Sequence, residues 1–405
     1  MKTEFDVVIL GGGLIGSAMA LALAAPGFSV ALVDPVAPAE HSASDFDGRA
    51  YAVAPASSRL LGVLGVWETV LAGAEPVRRI EVTDRQIDPV PPATLHFDPA
   101  ETGQAELGWI VPDGVLRGAL LQAVAAADVT HFAPAPGKVT DRGTGWAEVT
   151  AGEHLIRARL VVACDGRRSA TARAAGIDYL AWGYEQVGLV SAISHSEPHH
   201  GLAHQSFFAG GPFAVLPLQG NRSSLVWSDR AERAREVQAM SDDAYLAEIR
   251  ARIAGRLGEV ELAGQRWAHP LGLSLAHDYV AYRLAVAGDA AHGVHPIAGQ
   301  GMNMGLRDVA ALTQVLADAA RRGEDIGTLN VLRRYQQWRR PDATAMALGM
   351  DALTRGFSTA ASPVQAARNF GLGAVAEAPG LRRTFMNLAS GPAGPVPKMM
   401  LGQPV

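Results

Sequence analysis

Apolar positions fall into three distinct patterns along this 405-residue chain. From Phe5 to Leu10 they run without a break and are rich in β-branched residues, as in a parallel strand buried on both faces. Leu14 to about Ala25, rich in Ala, Leu and Met, reads as a buried helix, and Ser29–Val33 reads as a second strand. The whole run from Val7 to Val33 carries no charge and is long enough to imitate a membrane span. Consecutive Gly11, Gly12 and Gly13, the break at Pro26-Gly27, and Glu4 and Asp6 ahead of it argue instead for strand, turn, helix, turn, strand. The buried-strand pattern returns at Arg157–Cys164 and, in short form, at Leu284–Ala287, while 113–127 and Arg307–Ala320 are helical in pattern. Between these lie short strands punctuated by Gly, Pro and Asn: Val187–Ile193, His204–Phe208, Pro212–Pro217 and Ser223–Ser228. They predict an antiparallel sheet. Asp242–Leu257 is an amphipathic helix with many charges, and further helices are predicted over Asp325–Arg340, Asp342–Gly356 and Pro363–Ala376. The tail from Gly391 is Pro/Gly-rich and predicted to be loose.

Composition narrows the function classes. With 48% apolar and 19% charged residues the chain supplies a sizeable core and is not disordered. A net charge of −5 offers no basic excess to neutralise phosphates, so nucleic acid is not an expected partner. Cys164 is the single cysteine, which excludes an intrachain disulfide and a cysteine-rich metal site. The expectation is a cytoplasmic protein.

The first candidate site is Gly11-Gly12-Gly13-Leu14-Ile15-Gly16, a G-x-G-x-x-G lying between a strand and a helix. Gly11 permits the tight turn, Gly13 lets backbone approach a pyrophosphate at the helix N-terminus, and Gly16 permits close helix–strand packing. Asp34 ends the second strand 23 positions after Gly11 and is placed to accept from ribose hydroxyls. This is a complete dinucleotide-binding context, though it does not distinguish FAD from NAD(P). Gly371–Ala376 also fits G-x-G-x-x-A, but a helical pattern precedes it and no strand ending in an acid follows, so it reads as a false match.

The second candidate site follows the later strands. Arg157–Cys164 ends in Asp165-Gly166-Arg167-Arg168-Ser169. Leu284–Ala287 ends in Gly288-Asp289-Ala290-Ala291-His292, and then come His295-Pro296, Gly299-Gln300-Gly301-Met302-Asn303 and Gly305. Asp289 is placed to accept from polyol hydroxyls, and N–H groups near Gly301–Asn303 open a helix and favour an anion. His292 and His295 are spaced i, i+3, but no third ligand cluster accompanies them, so no metal is expected. Cys164 reads as a small core residue and His199-His200 as a solvated turn. Arg167-Arg168 fits a phosphate dock and a solvated pair equally. Phe207, Phe208, Phe213, Leu216 and Trp227 fit an apolar pocket or ordinary sheet core, which periodicity does not separate.

The G-x-G-x-x-G, the Cys164-Asp165-Gly166 segment and the stretch GDAAHGVHPIAGQGMNMGLRDVAAL resemble the class A FAD-dependent aromatic monooxygenases. The text from Gly288 to Leu312, with Asp47-Gly48-Arg49-Ala50, is most similar to their ubiquinone-biosynthesis hydroxylases, the UbiH/UbiF type. The resemblance spans roughly residues 5 to 380. It implies an α/β fold: a Rossmann-like FAD-binding domain interleaved with an antiparallel-sheet substrate domain, as in p-hydroxybenzoate hydroxylase-like flavoproteins, plus C-terminal helices. Expected boundaries are 1–75, 105–178 and 275–325 for the FAD-binding domain and 76–104 with 179–274 for the substrate domain. A helical region at 326–390 and a tail at 391–405 complete the division.

Carried over by resemblance, Gly11, Gly13, Leu14, Ile15, Gly16 and Asp34 hold the ADP half of FAD. Arg49 lies near the flavin phosphates and isoalloxazine, and Arg117 contacts FAD. Asp165 belongs to a motif linked to FAD and NAD(P)H. Gly288 and Asp289 hold the ribityl chain, and Pro296, Gly299, Gln300, Gly301, Met302 and Asn303 line the isoalloxazine. The family more often has Glu at the Asp34 position, and a shorter acid still reaches a hydroxyl. The implied reaction uses NADPH or NADH and O2 to hydroxylate a prenylated phenol through a flavin hydroperoxide, with no catalytic residue named. Alternatives are another FAD oxidoreductase (a catabolic hydroxylase, an oxidase or a prenyl reductase) and a non-catalytic flavoprotein subunit of a biosynthetic complex. Homo-oligomerisation and peripheral contact with the inner membrane, suggested by Arg382-Arg383, Phe385, Met386 and Leu388, stay open at this point.

Overall fold

The computed structural model describes residues 3–42, 47–85, 94–358, 371, 373–375, 377–390 and 394–405. Its first sheet is centred on Glu4–Leu10, which pairs in parallel with Val30–Val33 on one side and His154–Ala163 on the other. Val129–Phe132 and Leu284–Val286 extend it in parallel, and the hairpin Gly137–Arg142/Ala147–Ala151 adds to it antiparallel. Val7, Val8 and Ile9 are fully buried, which is why no polar alternation marks this strand. Each such side chain contributes roughly 1.5–3 kcal/mol of burial. Helix Leu14–Ala24 covers one face, with Ala18, Met19, Ala20, Ala22 and Leu23 fully buried.

Among the described residues the second sheet has nine strands. Arg79–Asp84 and Thr94–Phe97 join strands drawn from 179–276, and the predicted strand Val187–Ile193 is the inner part of the longer Tyr179–His195. A bulge between Gly183 and Val187 bends that strand. The short strand His292–Gly293 pairs with Ser274 and Leu275, so the chain leaving the second glycine-rich loop is itself part of this sheet. The two sheets are joined there.

Strand alternation divides the aromatic residues between faces. Phe213 and Trp227 pack with Leu225, Tyr245 and Ile249 beneath helices Ala231–Ala239 and Asp242–Ile253, and Phe208 packs at the edge of that cluster. Phe207 faces the other way and stacks on Phe357 with ring centroids 3.8 Å apart. Leu216 packs on a third cluster with Val77 and Ile110. The five residues grouped in the sequence therefore form no single pocket.

Two expectations for the C-terminal part need correction. Two helices predicted to meet at Pro341 are one 30-residue helix, Leu329–Ser358. Pro341 forfeits a backbone bond to the Gln337 carbonyl, yet buried Ala343, Ala347 and Met350 continue the same face and the Arg339–Asp342 pair bridges the proline. The tail is not loose over its described part, 394–405. Met399 and Met400 are buried, Arg59 Nε donates to the Met400 carbonyl at 2.9 Å, and Trp338 Nε1 donates to the Pro395 carbonyl at 2.9 Å. Arg382 donates to Glu101 at 3.1 Å. Of the predicted helix at 363–376, residues 363–370 lie outside the described residues, and 371 and 373–375 are helical. No helix among the described residues is long and apolar enough to cross a membrane.

Candidate cofactor and substrate site

The turn after Glu4–Leu10 is closed on its inner side and open on its outer side. A Cβ at Gly11, whose φ is +104°, would lie 2.4 Å from the Cys164 carbonyl oxygen, and a Cβ at Gly16 would lie 1.7 Å from that of Gly11. At Gly13 nothing lies within 4 Å of the Cβ position. Gly13 caps the helix with no side-chain bond, so the N–H groups of Leu14, Ile15 and Gly16 have no partner within the helix and converge on the open side. That is a cradle of phosphate size and sign. Asp34, 6% exposed, accepts from the Gly12 N–H and, at 2.7 Å, from the Val36 N–H.

Ile15 links this cradle to the second loop. A Cβ at Gly288 would sit 3.1 Å from Ile15 Cγ1, and one at Gly305 would sit 2.7 Å from Ile15 Cδ1. Both glycines are therefore required by one isoleucine. Asp289 beside them is half-exposed, 3.7 Å from Arg167 Nε. Arg167 also donates to the Val294 carbonyl at 3.1 Å, so it is docked, whereas Arg168 is exposed. Asp165 is exposed and accepts from the Thr171 N–H at 3.2 Å. The Cys164 thiol is pushed up by burial and by the Asp165 and Asp308 carboxylates, the behaviour of an inert core residue.

Beyond the loop, Pro296 opens a short turn and Gly299 adopts a φ of +61° with a Cβ position 3.1 Å from Ala52. Helix Gly301–Arg321 then starts at Gln300 with no side-chain cap, leaving the N–H groups of Gly301, Met302 and Asn303 at a second anion-favouring end. The Asn303 side chain itself turns inward. It accepts from the Ala54 N–H at 3.0 Å and Ser57 Oγ at 2.8 Å, and donates to the Ala52 carbonyl at 2.9 Å. It anchors strand Ala50–Val53, so only its backbone is left to line a ligand.

Arg49 and Arg117, 68 positions apart, meet on one carboxylate. Arg117 pairs with Asp113 through two bonds of 3.0 and 2.9 Å, Tyr51 donates to the same carboxylate at 2.9 Å, and Arg49 lies 3.6 Å from it. Burial alone would raise the Asp113 carboxyl, but Arg117, Tyr51 and Arg49 outweigh it and hold it below the usual range. Asp47 grips Arg49 at 2.6 Å, its backbone carbonyl accepts from Trp267 Nε1 at 2.7 Å, and the Gly48 carbonyl accepts from Ser224 Oγ at 3.0 Å. Segment 47–49 thus spans from the first sheet's side to the second sheet.

The least legible group in the sequence lies behind the second loop. Asp308 Oδ2 accepts from the Gly288 N–H at 2.9 Å and from His292 Nε2 at 2.6 Å, while Oδ1 accepts from Arg339 Nε at 2.8 Å. Arg339 also binds Asp342, which lies 3.8 Å from buried Arg307. Burial would raise Asp308, but His292 and Arg339 reverse this and lower it. The i, i+3 histidines point to different partners, and among the described residues no group of three His, Cys, Asp or Glu side chains could hold a metal. His199 is likewise not solvated: its Nδ1 accepts from the Gly201 N–H at 3.0 Å and its Nε2 bonds the Leu218 carbonyl at 2.7 Å, locking the turn.

A family model described as FAD binding domain matches residues 4–348, covering both glycine-rich loops and the sheet between them. The chain belongs to this family. It is 41% identical to the ubiquinone hydroxylase UbiL of Rhodospirillum rubrum over 99% of this chain and 93% of that protein. It is 39% identical to the 3-demethoxyubiquinol 3-hydroxylase of Escherichia coli over 95% and 98%. Among solved structures, a mutant of PqsL from Pseudomonas aeruginosa superposes with a TM-score of 0.76 at 25% identity, covering 92% of this chain and all of that one. This member of the FAD-binding family is an FAD-dependent aromatic-ring monooxygenase of the ubiquinone-hydroxylase type, acting on a small aromatic substrate with NAD(P)H and O2 as co-substrates. Its open cradle, its buried Asp34 and its second helix start fit a flavin dinucleotide.

Proposed function

We propose that this chain adds one oxygen to the aromatic ring of a prenylated phenol on the route to ubiquinone, and takes that substrate from a membrane surface. The observation that carries this reading is the pair of uncapped helix N-termini held together by Ile15, in a chain whose second sheet buries apolar Phe207 against Phe357 of helix Leu329–Ser358. The bound flavin supplies the electron and oxygen chemistry. The chain supplies position. Gly11, Gly13, Leu14, Ile15 and Gly16 hold the pyrophosphate, and Asp34 holds the adenosine ribose. Arg49 and Arg117, preset by Asp113, face the phosphates and the ring edge. Asp289 accepts from the ribityl side, Asp165 belongs to the motif linked to FAD and NAD(P)H, and the backbone from Pro296 through Gly299, Gln300, Gly301, Met302 and Asn303 supports the isoalloxazine. The N–H groups opening helix Gly301–Arg321 stabilise negative charge at its pyrimidine edge. Burial keeps water from the reacting ring.

Prenylated phenols partition into lipid. Leu348, Leu353 and Leu381 are each nearly half exposed on the C-terminal helices, and in this reading they are the apolar side chains offered to a bilayer. The decisive experiment is the quinone profile, by mass spectrometry, of cells lacking this gene and of cells complemented with it. A prenylated phenol short of one oxygen should accumulate, and the mature quinone should fall and then return on complementation. An unchanged quinone pool would remove the ubiquinone assignment and leave a hydroxylase of another aromatic compound.

A further inference from the structure

The imidazole of His295 has a defined proton and, among the described residues, no acceptor for it. Its Nδ1 accepts from the Ile297 N–H at 3.1 Å. In the neutral ring the proton therefore sits on Nε2. The side chain is 1% exposed, and Nε2 has no hydrogen-bond partner among the described residues. Buried N–H donors are nearly always satisfied in folded proteins. The ring is also held neutral: burial and the neighbouring Arg167 lower its pKa to about 4, against a weaker opposing effect of Asp351.

The position of this donor names its acceptor. His295 immediately precedes the turn Pro296–Ala298, whose backbone is the proposed support of the isoalloxazine. Its ring packs edge-on against Tyr184, on the strand Tyr179–His195 of the second sheet, with centroids 5.2 Å apart. Helix Leu329–Ser358 covers the same region, sending Asp351 to Trp182 Nε1 at 3.1 Å and Phe357 onto Phe207. The His295 ring thus lies where the turn Pro296–Ala298, the second sheet and helix Leu329–Ser358 meet. The charged groups around it are Arg167 from the segment after strand His154–Ala163 and Asp351 from the helix, the latter engaged by Trp182 and Arg355. Tyr184, its remaining titratable neighbour, is held protonated by burial and by Asp351. The field of Arg167 favours an oxygen carrying negative charge.

We propose that His295 Nε2–H donates a hydrogen bond to the ring oxygen of the phenolic substrate and so fixes the ring over the flavin. The proposal rests on the phenol reading above. His295 is a donor in this role and not a base: Nδ1 is engaged, Nε2 already carries its proton, and no proton is transferred to it. The bond stabilises the phenolate form, which is the electron-rich form of the ring.

The test uses the full chain loaded with FAD and 2-geranylphenol as the phenol, with its deoxy analogue geranylbenzene for comparison. His295→Phe should retain FAD and its visible spectrum. It should raise KM for the phenol about tenfold, the loss expected of one buried bond to a charged acceptor. It should also lower product formed per NAD(P)H consumed and move the pH profile of kcat/KM upward. His295→Gln, which keeps an N–H donor, should recover part of each loss, and binding of geranylbenzene should be the same in all three proteins. A His295→Phe enzyme that matches the wild type in KM, coupling and pH profile overturns the proposal. So does loss of FAD from both variants, which would make His295 a support of the cofactor. A wild-type protein that binds FAD but oxidises no NAD(P)H with the phenol overturns the phenol reading itself, a separate failure.

Discussion

The two ends of the candidate site are built by opposite means. The phosphate end is almost wholly backbone: glycines that admit a close turn, a helix start without a cap, and one acid at a strand terminus. The ring end is held by side chains that reach across the fold, with Asp308, His292 and Arg339 behind it and His295 beside it. The first is local in sequence and tolerates little change in volume. The second is long-range, depends on charge and is sensitive to protonation. A backbone site needs shape, whereas a side-chain site needs every partner present, because a lone buried charge is far costlier than a missing contact.

Removing one partner of the charged group tests this difference most severely. Asp308→Ala leaves Arg339 and His292 facing an emptied, fully buried position and should cost about 3–5 kcal/mol in urea unfolding. Asp308→Asn, similar in shape, should recover less than half of that. If both variants unfold like the wild type, the charges behind the ring loop are incidental and the contrast fails.

At the other end the corresponding break is steric. Gly16→Ala drives a Cβ into the Gly11 carbonyl oxygen and should cost about 3 kcal/mol, with FAD lost on purification. Gly13→Ala sharpens the comparison, because its Cβ meets nothing in the protein. Its melting temperature without FAD should stay within the scatter of the wild type, while FAD affinity falls by about tenfold, near 1.4 kcal/mol.

Acid should separate the ends as well. His295 is held near a pKa of about 4, well below its value in an unfolded chain. The unfolded state therefore binds the extra proton between about pH 6.5 and 4, so stability falls as pH drops through that window, by on the order of 2–3 kcal/mol. His204, buried on the second sheet and also lowered to about 4, contributes in the same direction. Asp308, lowered in the folded state, adds a loss only further down, below about pH 4 where an ordinary carboxylate takes up its proton. Urea midpoints at several pH values for the wild type and His295→Asn read the first effect: the variant should show a shallower decline. An equal decline in both would assign the acid sensitivity elsewhere.

The same contrast decides what was legible beforehand. Gly11, Gly13, Gly16 and Asp34 carry their meaning in spacing, because strand, turn and helix follow one another along the chain. Asp308 and Arg339 stand 31 positions apart on separate helices, and nothing in either helix's own pattern pairs them. The sheet strands were readable as strands. The face each aromatic takes depends on register, which placed Phe213 and Trp227 under helices and Phe207 against Phe357. Pro341 was read by its local chemistry and overruled by the packing of residues on either side. The docking of Met399 and Met400 was hidden by the Pro and Gly around them, whose composition speaks for looseness when the neighbouring surface is unknown. The i, i+3 histidines look alike in the sequence. Their separate duties, one anchored to Asp308 and one aimed between the sheets, became visible only with the fold.

Ile15 acts as a ruler. Wedged between Gly288 and Gly305, it sets the span between the two uncapped helix starts, and neither can slide without one of those glycines colliding with it. A cofactor is therefore measured by length. A dinucleotide bridging both starts would have to match that fixed separation, and shortening Ile15 would release it.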